Sequence, residues 1–484
     1  MHRTTLTISL LAIYVIAIIA IGLWNSKNDN SEDYFLASRK LPAWLLAITF
    51  IASWWGGGSA IDLVDHAHKN GLSSFWIYGV PVLIATALMY MFSKGIRNIG
   101  TISQPELMRE RYNNTVALLL TVFIIIFMVI ASAVQVIVIG RFFHAYFDIG
   151  YANAAILGTL IVLAYSMFGG FKGVVLTDLL QFVFFLFTGI FLFYLSYSQS
   201  GGMEFVKINA IENGKEGYSS FFSNVADNLA YVITFGTSWM IQANIWQRIS
   251  AAKKGSDAKK MMLISFLAFI PLYFMVTYTG MFSSVLYETV PETGIIPDMV
   301  SKLSSPILSA ILFVGLCSAI MSTMDSLINT GAMSLTVDVF QKYIKPNAKP
   351  KVGVFVARVS TVVMAAIALF IALRIQSVLT ISWIASDFLT SGAFVPLVMG
   401  FLWARGTSKA ATVSMLFGLL FASYNLNVAL GVDLPVAWEI ASAKQAIIGI
   451  AISFILYVSV SFLTPIDKEK SRKFIRKANV FGKY

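Results

Sequence analysis

A chain of 484 residues that is 57% hydrophobic and only 12% charged, with a mean hydropathy of +0.76, departs from soluble globular composition, in which about a quarter of residues are charged. The net charge of +11 raises a nucleic-acid reading, but the basic residues stand in short clusters between apolar runs and form no single patch, so they read as a membrane-topology signal. One cysteine, Cys317, excludes a disulfide framework and thiolate metal clusters, and four histidines (His2, His66, His68, His144) leave too little clustered chemistry for a membrane enzyme.

In chain order, runs long and apolar enough to cross a bilayer are expected at 4–26, 41–65, 70–93, 112–140, 151–170, 179–203, 227–248, 261–287, 303–324, 355–375, 379–404, 409–428 and 443–464. That makes thirteen candidate helices in one all-α membrane domain covering 1–484. Long runs without alternation exclude a β-barrel. The first run is long for a signal peptide, has no strongly basic leader and ends without a small-x-small cleavage site, so it reads as a span. With Met1 outside, most of the 35 Lys and Arg fall in cytoplasmic segments, among them Lys27, Arg39, Lys94, Arg97, Arg248, Lys253, Lys254 and the tail, which sets Tyr484 inside. The longest outer loop, 198–224, is too short to fold as a domain of its own.

Function is expected where the membrane pattern breaks. Non-helical backbone survives at membrane depth only where it lines a cavity or is packed by protein. The second span carries Ser53, Trp54, Trp55 and then Gly56, Gly57 and Gly58 in a row, each glycine weakening helix by about 1 kcal/mol relative to alanine. A tight helix crossing is one explanation, although close packing favours glycines a turn apart. The other is an unwound segment whose freed carbonyls hold a small cation beside a substrate. Five spans later, 235–244 contains Gly236, Thr237, Ser238 and Asn244, a second interruption and the trace of an inverted repeat.

In the ninth span Ala319, Ser322, Thr323 and Ser326 follow i, i+3, i+4, i+7 spacing and share a face, with Asp325 beside them. Hydroxyls alone would read as inter-helix hydrogen bonding, but an intramembrane carboxylate is a functional hypothesis by default, and oxygen ligands suit a hard cation. Asp178, at the cytoplasmic end of the sixth span, reads either as a helix cap or as a site residue. Asp62, Asp65 and His66 fall in a wet outer vestibule, and Trp54, Trp55, Trp239 and Trp246 either wall a substrate or pack.

These residues resemble the sodium/solute symporter family, which includes proline, sialic-acid, sugar and choline transporters. The resemblance spans nearly the whole chain: Glu32 to Leu36 in sequence with Arg39, the stretch 52–58, Pro105, Glu106, Leu107 and Arg111, the stretch from Gly169 and Gly170 through Thr177, Asp178 and Gln181, then Gln247 and Arg248, and 319–323. It implies a LeuT-type fold: a leading helix, inverted repeats of five helices at 41–200 and 225–405, and trailing helices at 406–464. It also implies a sodium ion held by the carbonyls of Ala52, Trp55 and Ala319 and the hydroxyls of Ser322 and Thr323. Some members hold a second sodium ion at the Asp178 position. Here Asp325 and Ser326 would join that second sodium or proton site, Asp325 standing where such members have serine. The solute is expected against Ser53, Trp54, Gly57, Gln135, Trp239 and Gln242. The glycine and Met321 to Ser326 sequences look closest to the choline branch, although its aromatic residues fall here at Gln242 and near Ile130.

The expected activity is sodium-coupled symport of a small organic solute (amino acid, quaternary amine, sugar or organic acid) by alternating access. Sodium ion is the coupling ion, no enzyme chemistry or nucleic-acid partner is involved, and the chain acts as a monomer in the plasma (inner) membrane. A proton-coupled carrier and a transporter-like receptor are the competing readings.

Overall fold

The fold comes from a computed structural model that describes residues 3–24, 31–303, 305–429, 431–432, 434–435 and 443–481. Met1, Lys27 and Tyr484, on which part of the orientation expectation rests, lie outside the described residues. Among those described the chain is helical, its only extended pairing being an isolated bridge between Leu41 and Ala252. Ten helices are long and apolar enough to cross a membrane, and Ala43–Trp54 and Tyr151–Met167 are shorter apolar helices. In hydrocarbon each backbone polar group must find its partner within the protein, which leaves helices as the economical solution for such runs.

The helix Pro306–Met333 is the central post. Ser305 caps it by accepting from Leu308 N, Pro306 begins it, and every residue from 312 to 333 is buried. It packs against Tyr151–Gln199, Asn114–Phe147 and the first helix, Arg3–Trp24. Peripheral helices turn apolar side chains outward instead, including Ile13, Ile16, Phe187, Tyr194, Phe355, Phe370 and Leu420, as a lipid-facing surface requires.

Tyr151–Gln199 is two helices that meet at a kink at Gly170. Its φ of 54° and ψ of −163° kink Tyr151–Gln199, and a Cβ there would meet the Tyr34 carbonyl at 2.7 Å, so only glycine allows the bend and the contact together.

Two helices are interrupted. Ala43–Trp54 ends at Trp55, with φ −92° and ψ 53°, and resumes as a π-turn at Gly58–Asp62 leading into Leu63–Asn70. Val225–Met240 ends at Ile241 and Gln242, the latter extended at φ −60° and ψ 123°, before Ala243–Ala251. This second break falls inside the expected interruption at 235–244, at its later end rather than at Gly236 to Ser238. There the polar side chains satisfy themselves within the helix: Thr237 Oγ1 donates to Ile233 O at 2.6 Å and Ser238 Oγ to Phe235 O at 3.2 Å.

The segment leading into the first broken helix is stitched to the end of the second. Arg39 donates to Gly100 O at 2.7 Å and Ser250 O at 3.3 Å while paired with Glu32 at 2.7 Å, and Gln247 Nε2 donates to Phe35 O at 2.7 Å. At the other end the segment 198–224, too short for a domain of its own, contains the helix Gly202–Glu212, and Tyr218 donates to the carbonyls of Ala67 and His68 at 3.0 Å, fastening the far end of the first broken helix.

Candidate functional site

The break in the first helix faces the hydroxyl stripe of Pro306–Met333. Thr323 Oγ1 lies 3.4 Å from Ala52 O and 3.2 Å from Ala319 O, so one hydroxyl bridges the carbonyls of two helices. Ser322 Oγ, one residue earlier, donates to Asp178 Oδ1 at 2.5 Å. Trp55 stands at the break itself, where the helical conformation ends. Ala52 O, Ala319 O and Thr323 Oγ1 are therefore linked, buried oxygens of the type a hard cation takes, and the buried Ser322 next to Thr323 directs its hydroxyl to Asp178. The shared face expected from residues 319, 322, 323 and 326 is present, with Ser326 Oγ 2.9 Å from Ser53 Oγ.

Beside this set lies a charged cluster. Asp178 sits well inside its helix and caps nothing. It accepts from Ser322 and Thr49 and pairs with Arg248, whose Nη2 is 3.3 Å from Oδ2. Arg248 also donates to Asn244 O at 3.0 Å, Thr49 Oγ1 at 3.0 Å, Ser326 Oγ at 2.8 Å and Ser53 Oγ, and its guanidinium lies over the Phe171 ring. The sequence reading counted Arg248 among cytoplasmic cations, yet it is fully buried. The late break at Ile241 and Gln242 carries the following helix back into the protein and Arg248 with it. An arginine five residues from the end of an apolar run was the signal that membrane-depth reasoning could have used. Thr49 had no signal of its own. Asp325 is also fully buried; Ser326 Oγ approaches its Oδ1 at 3.4 Å.

A cavity of about 630 Å³ opens next to the break. Ser53, Trp54, Gln135, Trp239 and Gln242 line it as expected, joined by Tyr78, Phe127, Tyr273, Ser59, Ser382 and Ser386, which sequence reasoning missed because they come from five separate helical elements. Of the glycines, Gly56 and Gly58 line it, whereas Gly57 lines a second cavity with Asp62, Asp65, Arg141 and Glu292; His66 is not among the residues lining that cavity. Two glutamines hold the walls. Gln135 Oε1 accepts Gly57 N at 3.0 Å across the break, and Gln242 Oε1 accepts Trp54 Nε1 at 2.5 Å, tying one broken helix to the other. Tyr78, Phe235 and Trp239 form a three-ring cluster of near-parallel rings, with centroids 5.9 Å (Tyr78–Phe235), 4.9 Å (Phe235–Trp239) and 5.9 Å (Tyr78–Trp239) apart. Trp55 and Trp246 are not wall residues: Trp55 packs edge-on to Phe185, and Trp246 packs on Phe401 and donates to Met240 O.

Comparison with known proteins bears on this arrangement. The chain is 26% identical over 473 residues to a sodium/glucose cotransporter of Vibrio parahaemolyticus (86% of this chain, 84% of the relative) and 24% identical over 435 residues to a sodium/proline symporter of Haemophilus influenzae (84% and 85%). It is 26% identical to the sodium/myo-inositol cotransporter 2 of Bos taurus, covering 87% of this chain and 69% of that one. Its fold is similar to that of a Na+-coupled sialic acid symporter solved in a substrate-bound outward-open state, with a TM-score of 0.81 at 16% identity over 95% of this chain and 98% of that one. A nucleobase-cation-symport-1 family transporter in a closed conformation shares it less closely, with a TM-score of 0.61 at 11% identity over 93% of this chain and 100% of that one. The pattern of the Sodium:solute symporter family runs through residues 34–418, and the chain belongs to that family.

Proposed function

We propose that this protein carries an uncharged, hydrogen-bonding organic solute, of the size of a sugar, cyclitol or amino acid in its net-neutral form, together with sodium. One observation carries the solute class: among the described residues no charged side chain lines the cavity beside the break. A solute with a net charge would enter a low-dielectric space without a counter-charge, a strongly unfavourable transfer. Seryl, threonyl and amide groups serve a polar solute there, and Trp54, Trp239, Tyr78 and Tyr273 offer apolar faces to its carbon skeleton.

The sodium ion takes the carbonyls of Ala52, Trp55 and Ala319 and the hydroxyls of Ser322 and Thr323. Bound there it links the first broken helix to the central post, holds the break in the geometry that the solute contacts at Ser53 and Trp54, and so raises solute affinity. Linkage then makes the solute raise sodium affinity by the same factor. The larger layout completing this reading is thirteen spans: a leading helix, two repeats of five related by inversion, each opening on a broken helix, and two trailing helices. The first end is outside and the last in the cytoplasm.

A second reading of the solute, a quaternary ammonium of the kind the choline-branch resemblance suggests, is favoured by the aromatic faces alone, since such cations are held by ring faces without a carboxylate. Melting of the purified protein in detergent separates these readings, because ligand binding to the folded state raises apparent stability. Sodium is expected to raise the melting temperature above that in potassium, with a further rise from one member of a panel of sugars, cyclitols, proline, betaine and choline. A shift that ignores sodium and appears only on acidification would replace this reading with proton coupling.

A further inference from the structure

Only residues 464–467 separate the last helix, Lys468–Ala478, from the final apolar helix, Ala443–Leu463, whose terminal Phe462 and Leu463 are 64% and 84% exposed. Such a connection reaches about 14 Å at full extension, so the last helix starts beside the membrane boundary. Asp467 caps it, with Oδ1 accepting from Lys470 N at 3.0 Å, and Glu469 in its first turn and Arg476 and Lys477 in its last complement its dipole.

One face of this helix is docked. Ser471, Phe474 and Ala478 are buried: Ser471 Oγ accepts from Arg111 Nη1 at 2.9 Å, Phe474 meets the Phe401 ring at 5.3 Å, and Ala478 O accepts from Asn98 Nδ2 at 3.3 Å. Lys470 adds a bond to Tyr112 O. Asn98, Arg111 and Phe401 stand at the ends of Phe75–Ile99, Gln104–Arg111 and Phe394–Leu402. The helix therefore runs across one boundary of the bundle and does not project away from it.

The other face is cationic. Lys468, Arg472, Lys473 and Arg476 are exposed and line one surface depression with Glu469. Their i, i+4, i+5, i+8 spacing sets them opposite Ser471, Phe474 and Ala478. Lys477 is paired with Glu110 at 3.1 Å, whereas Lys468, Arg472 and Lys473 form no ion pair among the described residues. A topology signal needs only basic residues somewhere in the segment; here they are ordered along one side of a fixed helix. Neighbouring cations held in this way repel one another and gain from a polyanionic surface. Lipid phosphates are the polyanion at this depth, and arginine and lysine stems reach toward them from a helix lying at the boundary.

We propose that the cationic face of Lys468–Ala478 is a binding surface for the phosphate groups of anionic lipids in the inner leaflet, and that lipid bound there braces the helix against Arg111, Tyr112 and Phe401. The inference rests on the orientation given above, with the last end in the cytoplasm.

The test is the melting temperature of the full chain in a neutral detergent as phosphatidylglycerol or phosphatidylcholine is added, since binding to the folded state raises apparent stability. The wild type is expected to be stabilised by phosphatidylglycerol and not by phosphatidylcholine. The rise is expected to fade between about 0.1 M and about 1 M salt, as the screening length falls from about 10 Å to about 3 Å. The combined variant Lys468→Gln, Arg472→Gln, Lys473→Gln is expected to need roughly a hundredfold more phosphatidylglycerol for the same rise, each cation beside an anionic surface contributing about fivefold. Lys253→Gln with Lys254→Gln removes two exposed cations elsewhere and is expected to keep the wild-type response, which separates this helix from positive charge in general.

A phosphatidylglycerol response equal in the wild type and the triple variant overturns the proposal, as does equal stabilisation by both lipids. A salt-dependent rise produced by polyglutamate, with none from phosphatidylglycerol, also overturns it and puts an acidic protein in place of the membrane. If the triple variant does not fold, Arg472→Gln and Lys473→Glu singly decide by the same comparison. Failure of the orientation looks different: with Cys317 buried, a cysteine introduced by Glu469→Cys would be labelled in intact cells by a membrane-impermeant maleimide, whereas a cytoplasmic helix is labelled only after lysis.

Discussion

At Thr323 one hydroxyl lies within hydrogen-bonding reach of carbonyls on two helices, and a cation there would replace that single proton as the link between them. Ser322 couples the same point to Asp178. Thr323→Ala and Ser322→Ala are each expected to raise the sodium concentration for half-maximal uptake by about tenfold, the loss of one ligand-grade interaction of roughly 1.4 kcal/mol, while the protein stays folded. A sodium titration of uptake checks this, and an unaltered titration in both variants would remove the oxygen set from consideration. Gly56 tests the same geometry from the other side. A Cβ added there comes within 2.8 Å of Gln135 Oε1 and crowds Thr323, so Gly56→Ala is expected to weaken sodium dependence and to lower the melting temperature together. The hydroxyl stripe was legible in the sequence because it lies on the buried stretch 312–333 of a regular helix, where spacing maps directly to a face. Arg248 was not legible as a site residue. In sequence it stands near Lys253 and Lys254, and only a helix restart at Ala243 separates a buried guanidinium from a cytoplasmic one.

Between residues and the whole, the broken helices are the working elements. The first break was legible because three adjacent glycines leave few helical interpretations. The second was legible as the stretch 235–244 but not to the residue, because Gly236, Thr237 and Ser238 continue the helix by back-bonding, whereas Gln242 breaks it with φ −60°, a value any residue adopts. The π-turns at Gly58–Asp62 and Phe388–Ala393 likewise left no compositional trace, since they arise from packing against neighbours. Both broken helices are held at their inner ends by Arg39, whose guanidinium joins Glu32, the 100–101 turn and Ser250. Removing it leaves the carbonyls of Gly100 and Ser250 without that donor while the rest of the bundle is untouched. Arg39→Ala is therefore expected to loosen the inner closure: backbone amides in 34–41 and 243–252 should exchange with deuterium faster than in the wild type, and solute applied from outside should bind more weakly. Hydrogen exchange followed by mass spectrometry reads the first effect, and equal exchange in both proteins would show that Arg39 is not part of the closure.

Over the whole molecule the reading becomes a statement about work. If one sodium ion accompanies a net-neutral solute, each cycle carries one positive charge, and membrane potential and sodium gradient both drive accumulation. A 100 mV inside-negative potential supplies about 2.3 kcal/mol per charge, and an about tenfold inward sodium gradient supplies about 1.4 kcal/mol. Their sum, about 3.7 kcal/mol, corresponds to roughly 400-fold accumulation at equilibrium. With the potential collapsed, the same gradient supports only about tenfold. Proteoliposomes loaded with potassium and given an ionophore set both forces independently, using as solute whichever compound raises the melting temperature most in sodium. Accumulation that falls from the first value toward the second as the potential is removed is the expected result. Two sodium ions would square the gradient's contribution and double the charge, so the sodium-only limit would approach about a hundredfold. Accumulation driven by a pH gradient in sodium-free buffer would instead transfer the coupling role from the Thr323 oxygen set to a proton.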